Sequence, residues 1–133
     1  MAARHVRVVA AVIAREDRYL ITQRRPTAVL AGLWEFPGGK VEEGESESAA
    51  LLREVRERVG VSVTVGPCIA RRTHDYDGYS VDLSLYQATL PEDAEPTPVR
   101  VAACKWVKSS EFENFRFPAA DQATMDLLLG IKR

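Results

Sequence analysis

A mixed α/β domain is the fold class this sequence predicts, and three observations carry the prediction. A β-branched run, His5 to Ala14, is joined by polar Arg15-Glu16-Asp17 to a second apolar run, Arg18 to Gln23. Such runs read as strands and the short polar link as a hairpin. Ser46 to Val59 contains neither Pro nor Gly, is rich in Ala, Leu, Glu and Arg, and is followed by Gly60, so it reads as one helix with a natural stop. Ser62 to Arg71 and Tyr79 to Ala88 are strand-like again, around a turn His74-Asp75-Tyr76-Asp77-Gly78 whose Asp-Gly is a hairpin signal.

In chain order, the first strand is mostly buried, since its apolar run is nearly continuous. The second delivers Arg24 and Arg25 and ends at Pro26; Thr27 to Leu33 is a loop. Trp34-Glu35-Phe36-Pro37 leads into Gly38-Gly39-Lys40-Val41-Glu42-Glu43-Gly44-Glu45, where Gly38, Gly39 and Gly44 are expected to be loop residues allowing positive φ and close approach of a ligand. At about 100° per residue, Ser48, Leu51, Leu52, Val55 and Val59 form the core stripe of the helix, with Glu47, Ala50, Glu54 and Glu57 on the far side. Pro91 to Pro98 is linker-like but too short to separate domains. Val99 to Val107 is a late strand carrying Trp106. Ser109 to Phe115 is a short helical turn with Ser109 or Ser110 as cap, and Pro118 to Ile131 is a final helix with Leu127, Leu128 and Ile131 facing the core.

The 133 residues suit a single domain, 1–133, large enough to bury a core. A net charge of −1 supplies no global field toward nucleic acid or a membrane, so neither is an expected partner. Cys68 and Cys104 lack metal-ligand spacing and read as buried thiols, which together with the absence of a signal peptide or spanning segment points to a cytoplasmic protein.

The chemistry concentrates on the helix. Glu54 and Glu57 are an i,i+3 pair and therefore neighbours. Adjacent carboxylates repel unless a cation sits between them, and Mg²⁺ is held by a few carboxylates together with substrate phosphates. Ala50, one turn back, leaves room for that cation. The plain alternative is a solvated amphipathic helix with surface ion pairs.

Gly39, Glu45, Arg53, Glu54, Val55, Glu57, Gly60 and Val61 fall in register with a fixed pattern, and on these residues the segment resembles the box of the Nudix hydrolase family. Leu33 to Glu42 is similar to the MutT-like and CTP-pyrophosphohydrolase-like branches. The resemblance implies an α/β/α sandwich with a mixed curved β-sheet, and metal-assisted hydrolysis of a nucleoside triphosphate to a monophosphate and pyrophosphate. The nucleotides would be oxidised or otherwise modified, such as 8-oxo-dGTP or modified pyrimidine triphosphates. The cofactor is Mg²⁺, with Mn²⁺ as alternative, and the partner a small-molecule nucleotide bound by a monomer or homodimer. A dinucleoside polyphosphate is a second substrate class, kept open by Tyr76 and Tyr79 downstream of the box.

The resemblance also implies roles. Glu54 and Glu57 hold metal with the Gly38 carbonyl, and Glu54 is a candidate base. Arg53 orients Glu54 and ties the loop to the helix; Glu45 closes that loop or meets the metal through water. Phe36 lines the base pocket or packs in the core. Arg24 and Lys40 meet phosphate or are surface cations. Asp121, where MutT-like relatives have Asn, accepts from N–H groups on a base edge or sits in the first helical turn. Arg58 departs from the pattern, standing where a ligand Glu is expected, and Arg100, counted back from Trp106, falls where another Glu would lie. At about 5 Å and an effective dielectric constant of about 20, one such cation costs a bound monocation about 3 kcal/mol and Mg²⁺ more. Either the enzyme works with fewer metals, or the fold serves as a nucleotide-binding module.

Overall fold

The computed structural model describes residues 4–28 and 30–118. Among them lie seven strands, one α-helix and one 3₁₀ helix: β1 Arg4–Arg15, β2 Arg18–Gln23, β3 Trp34–Glu35, β4 Gly38–Lys40, α1 Glu47–Val59, β5 Thr64–Tyr76, β6 Tyr79–Thr89, β7 Ala103–Lys108, then the 3₁₀ helix Ser109–Asn114. The expected final helix, with Asp121 and its core-facing leucines, falls outside the described residues, Pro118 apart.

The sheet is mixed, in the order β3-β2-β1-β6-β5, with β4 on β1 and β7 on β2. β1 runs parallel to β6 along nearly its whole length, from Arg4 opposite Tyr79 to Ile13 opposite Ala88. Its other edge is shared. Ala14 and Arg15 pair with β2 at the hairpin, whereas Val8 to Ala10 pair with β4. β2 divides its edge likewise, pairing with β3 at Thr22 and Gln23. The two strands therefore diverge from their hairpin, and the segment Trp34 to Lys40 crosses from one to the other. This crossing sets Glu35, Phe36, Gly38 and Gly39 where the sheet splits.

Side-chain alternation along β1 builds two cores. Val9, Ala11 and Ile13 face α1, joined by Leu51, Val55 and Val59. Ala10 and Val12 face the other way, toward Ile21, Phe36, Leu85 and Phe112. The Ser46 hydroxyl caps α1 by accepting from the Ala49 N–H, and Gly60 closes it in the left-handed conformation at φ 72°.

Several expectations require correction. Gly38 and Gly39 are strand residues, not loop residues, and only Gly44 of the three has positive φ, 79°. Gly38 is needed for close strand approach, since a Cβ there would lie 2.0 Å from the Val9 carbonyl oxygen. Ser48 is exposed and Leu52 only partly buried, whereas Ala50 is fully buried against the core and leaves no cation space. A single-stripe reading fails because α1 is covered on two sides, by the sheet core and by β4. Glu47, expected on the far side, accepts from Tyr86 Oη (2.6 Å), Ser84 Oγ (2.9 Å) and Arg71 (3.1 Å) and pins the helix to the sheet. Burial pushes its carboxyl up, but those three donors outweigh it and the net shift is downward; burial and the facing Glu47 raise the Tyr86 phenol to about 12.

The expected five-residue turn is shorter. β5 continues through Tyr76, leaving Asp77-Gly78 as a two-residue connection. β7 begins at Ala103, not Val99, because the preceding coil docks on the C-terminal end of α1, where Val99 and Arg100 N–H both donate to the Arg58 carbonyl. Lys108, not a serine, caps the 3₁₀ helix, its N–H donating to the Glu111 carboxylate. Both cysteines are free and half-buried, not fully buried.

Candidate active site

Glu54 sits where α1 meets β4. It is 7% exposed, so its charge requires partners. Gly39 makes the place for it: a Cβ on Gly39 would lie 2.3 Å from Glu54 Oε2. Arg53 Nη1 donates to Oε1 at 2.9 Å and Arg58 Nε to Oε2 at 2.7 Å. Both carboxylate oxygens are thus engaged by guanidinium groups.

Arg53 is the hub. Its Nε and Nη2 fork grips Glu45 at 2.7 and 2.9 Å, Nη2 also donates to the Lys40 carbonyl at 3.1 Å, and Nη1 reaches Glu57 at 3.4 Å. A planar fork on a carboxylate is the strong geometry for this pair. Glu45 in turn accepts from the Glu42 N–H at 3.1 Å, closing the loop before the helix. The Arg53 bond, then the Glu42 N–H, hold the Glu45 carboxyl at about 2, against an ordinary 4.5. Arg53 is raised above its ordinary value, chiefly by Glu45.

The charges continue in alternation. Arg58 Nη1 lies 3.4 Å from Glu35, whose two oxygens each accept from Arg24 Nη1 at 3.1 Å. Glu45, Arg53, Glu54, Arg58, Glu35 and Arg24 form one line of opposite charges from the loop to the end of β2. Glu35 is the member that sequence reasoning passed over. Its signal was faint: only the β2–β3 register, Thr22 opposite Glu35, brings it beside Arg24.

Two concavities flank this line. A cleft of about 610 Å³ is lined by Phe36, Gly38, Gly39, Lys40, Arg24 and Arg58 and by Tyr76, Tyr79, Val81 and Leu83. Phe36 lines it and is also buried in the core. A smaller pocket of about 250 Å³ is lined by Arg24, Arg25, Glu54, Glu57, Arg58 and Arg100. Arg100 therefore stands beside the carboxylates, as the count back from Trp106 expected.

The donor set fits a hard cation only in part. Glu54 and Glu57 offer carboxylate oxygens. Alternation along β4, whose neighbours Pro37 and Val41 bond to β1 through Ala11 and Arg7, turns the Gly38 carbonyl to the same edge as that of Lys40. No group of three or more Asp, Glu, His or Cys side chains is arranged to hold a metal among the described residues. Two carboxylates completed by substrate phosphates suit Mg²⁺, which is seldom held by protein alone.

Two expectations about variants follow. Gly39→Ala puts its methyl group on Glu54 and should lower kcat/KM about 100-fold while leaving thermal unfolding cooperative, measured by steady-state kinetics and circular dichroism. Glu45 is depressed in the folded state, so its stabilising contribution is full above pH about 4.5 and is lost as pH falls toward 2. Acid titration of urea stability should show this loss in the wild type and a flatter profile in Glu45→Gln.

Comparison with known proteins matches residues 8–127 to the NUDIX domain model. The chain is 45% identical over 78 residues to the CTP pyrophosphohydrolase of Escherichia coli, a match that covers 59% of this chain and 58% of that one, little over half of the relative's length. It is 37% identical over 122 residues to a putative 8-oxo-dGTP diphosphatase 2 of Mycobacterium tuberculosis, covering 86% of this chain and 82% of the relative. The solution structure of the E. coli ORF135 protein superposes with a TM-score of 0.80 at 32% identity, over 96% of this chain and 91% of that one.

Proposed function

This chain belongs to the NUDIX domain family, and from that premise we propose that it hydrolyses nucleoside triphosphates to nucleoside monophosphate and pyrophosphate, removing oxidised or otherwise modified nucleotides. The observation that carries the reading is the placement of Glu54 and Glu57 in a pocket of about 250 Å³ that shares Arg24 and Arg58 with the cleft of about 610 Å³. The cleft's volume suits a nucleoside, and its apolar wall suits a base. The carboxylates and arginines suit the phosphates.

Nudix hydrolases generally need a divalent metal; here Mg²⁺ is the proposed ion, with Mn²⁺ as substitute. It would be held by Glu54, Glu57 and the Gly38 carbonyl together with phosphate oxygens, and when bound it neutralises phosphate charge and lowers the pKa of water. The chain's own residues do the rest. Arg53 fixes the Glu54 carboxylate at its Oε1, and Gly39 lets it lie against the backbone. Glu54 takes the proton of the attacking water. Arg24 and Lys40, both on the cleft wall, orient phosphate. Phe36 packs against the base, and Asp121, outside the described residues, accepts from its N–H edge. One domain acting as a monomer or homodimer suffices for this scheme.

The relatives' names direct the base to oxidised guanine or a cytosine-type pyrimidine. A dinucleoside polyphosphate is the second reading, favoured by Tyr76 stacked on Tyr79 (ring centroids 5.1 Å apart, planes 15° apart), both lining the same cleft. Product formation, nucleoside monophosphate with pyrophosphate from 8-oxo-dGTP, CTP and 5-methyl-dCTP and two mononucleotides from a dinucleoside polyphosphate, followed with Mg²⁺ and then with chelator, separates the readings. Preference for one triphosphate supports the first. Preference for the dinucleotide supports the second, and no turnover by folded protein points to a binding module.

A further inference from the structure

The smaller pocket carries more positive charge than a metal-holding site alone would call for. Four guanidinium groups, of Arg24, Arg25, Arg58 and Arg100, line it against the carboxylates of Glu54 and Glu57. Arg24 is turned to Glu35, and Arg25 donates to the Val99 carbonyl at 3.2 Å. Arg100 makes no ion pair among the described residues, and it is placed by a backbone anchor, its N–H donating to the Arg58 carbonyl at 3.1 Å. Arg58 is divided between Glu54 at 2.7 Å and Glu35 at 3.4 Å. It thus occupies Glu54 Oε2 with a cation belonging to the chain.

We propose that this pocket is a metal-independent subsite for the pyrophosphate part of the polyphosphate, in which the Arg58 and Arg100 guanidinium groups hold phosphate oxygens directly. Guanidinium forks match phosphate geometry and stay charged at every working pH. Arg58 stands on α1 beside Glu54 and Glu57, whereas Arg100 comes from the coil before β7, so a phosphate chain held between Arg58 and Arg100 has its reacting end toward Glu54. Arg58 exchanges one anion for another: Glu54 when the pocket holds no ligand, phosphate when it does. A divalent ion and Arg58 then compete for Glu54, so phosphate arrival and metal binding favour each other.

This inference rests on the phosphoanhydride reading above, yet its test does not need turnover. Inorganic pyrophosphate is titrated calorimetrically into the full chain in EDTA at low ionic strength. Wild type is expected to bind one equivalent. Arg58→Gln and Arg100→Gln are each expected to weaken binding at least about 10-fold, the worth of one lost charge-assisted bond. Arg72→Gln, on the exposed part of β5, is expected to change nothing. Should Arg58→Gln fail to fold, Arg100→Gln on the surface coil keeps the comparison. Equal affinity in wild type and both pocket variants, no saturable binding in wild type, or an equal loss in Arg72→Gln overturns the proposal. Hydrolysis without this binding sinks the inference alone; binding without hydrolysis of any nucleotide sinks the phosphoanhydride reading and leaves an anion site.

Discussion

Replacing Glu54 by Gln is expected to lower kcat/KM about 1,000- to 10,000-fold, the largest effect of any single substitution in this chain. The side chain keeps its shape, so the loss reports charge. Gln offers one acceptor where Glu54 offers two charged oxygens to Arg53 and Arg58. It can neither take a proton from water, a role worth about 100- to 10,000-fold, nor hold a divalent ion as a carboxylate does. Glu57 cannot compensate, because its side chain is 41% exposed and only loosely held, 3.4 Å from Arg53. Most of the effect is expected in kcat, since substrate phosphates keep the arginines. Steady-state kinetics on the preferred nucleotide, with calorimetric substrate binding, checks this division. An equal fall carried wholly by KM would make Glu54 a binding residue.

Arg53→Lys is expected to be nearly as damaging, and by a different route. Lysine keeps one charge but has no planar fork. It cannot at once grip both Glu45 oxygens, reach the Lys40 carbonyl and hold Glu54. Activity should fall about 100-fold or more as Glu54 loses its orientation, and urea stability by about 2–3 kcal/mol as charged acceptors lose their partners. Glu54→Gln should leave the loop before α1 in place, whereas Arg53→Lys should free it. Amide exchange at Glu42 and Glu45, whose mutual bonds close that loop, distinguishes the two variants.

How much of this was legible in the sequence depends on the range of the interaction. The spacing of Glu45, Arg53, Glu54 and Glu57 is local to one loop and one helix, and those residues do meet. The end signals of α1, Ser46 and Gly60, are local too, and they stand at its boundaries. What the sequence concealed depends on partners distant in the chain. Gly38 and Gly39 read as flexible, yet each is there for contact, with Val9 and with Glu54. Composition cannot separate a glycine that needs positive φ from one that needs room. Ala50 and Glu47 were misplaced because a helical wheel supposes one buried face, and α1 has two. Glu35 stayed hidden because its partners Arg24 and Arg58 meet it only once β2, β3 and α1 are assembled. Arg58 was visible as a departure from the pattern, but its attachment to Glu54 was not.

The measurement that tests the central claim most directly is phosphorus NMR of the reaction of the wild-type chain with its preferred triphosphate and Mg²⁺ in heavy-oxygen water. Nucleoside monophosphate and inorganic pyrophosphate should appear together as the first products, with one labelled oxygen on one of them, and Glu54→Gln should produce neither on the same time scale. Nucleoside diphosphate with orthophosphate, or folded wild-type protein that leaves every nucleotide intact, would contradict the account.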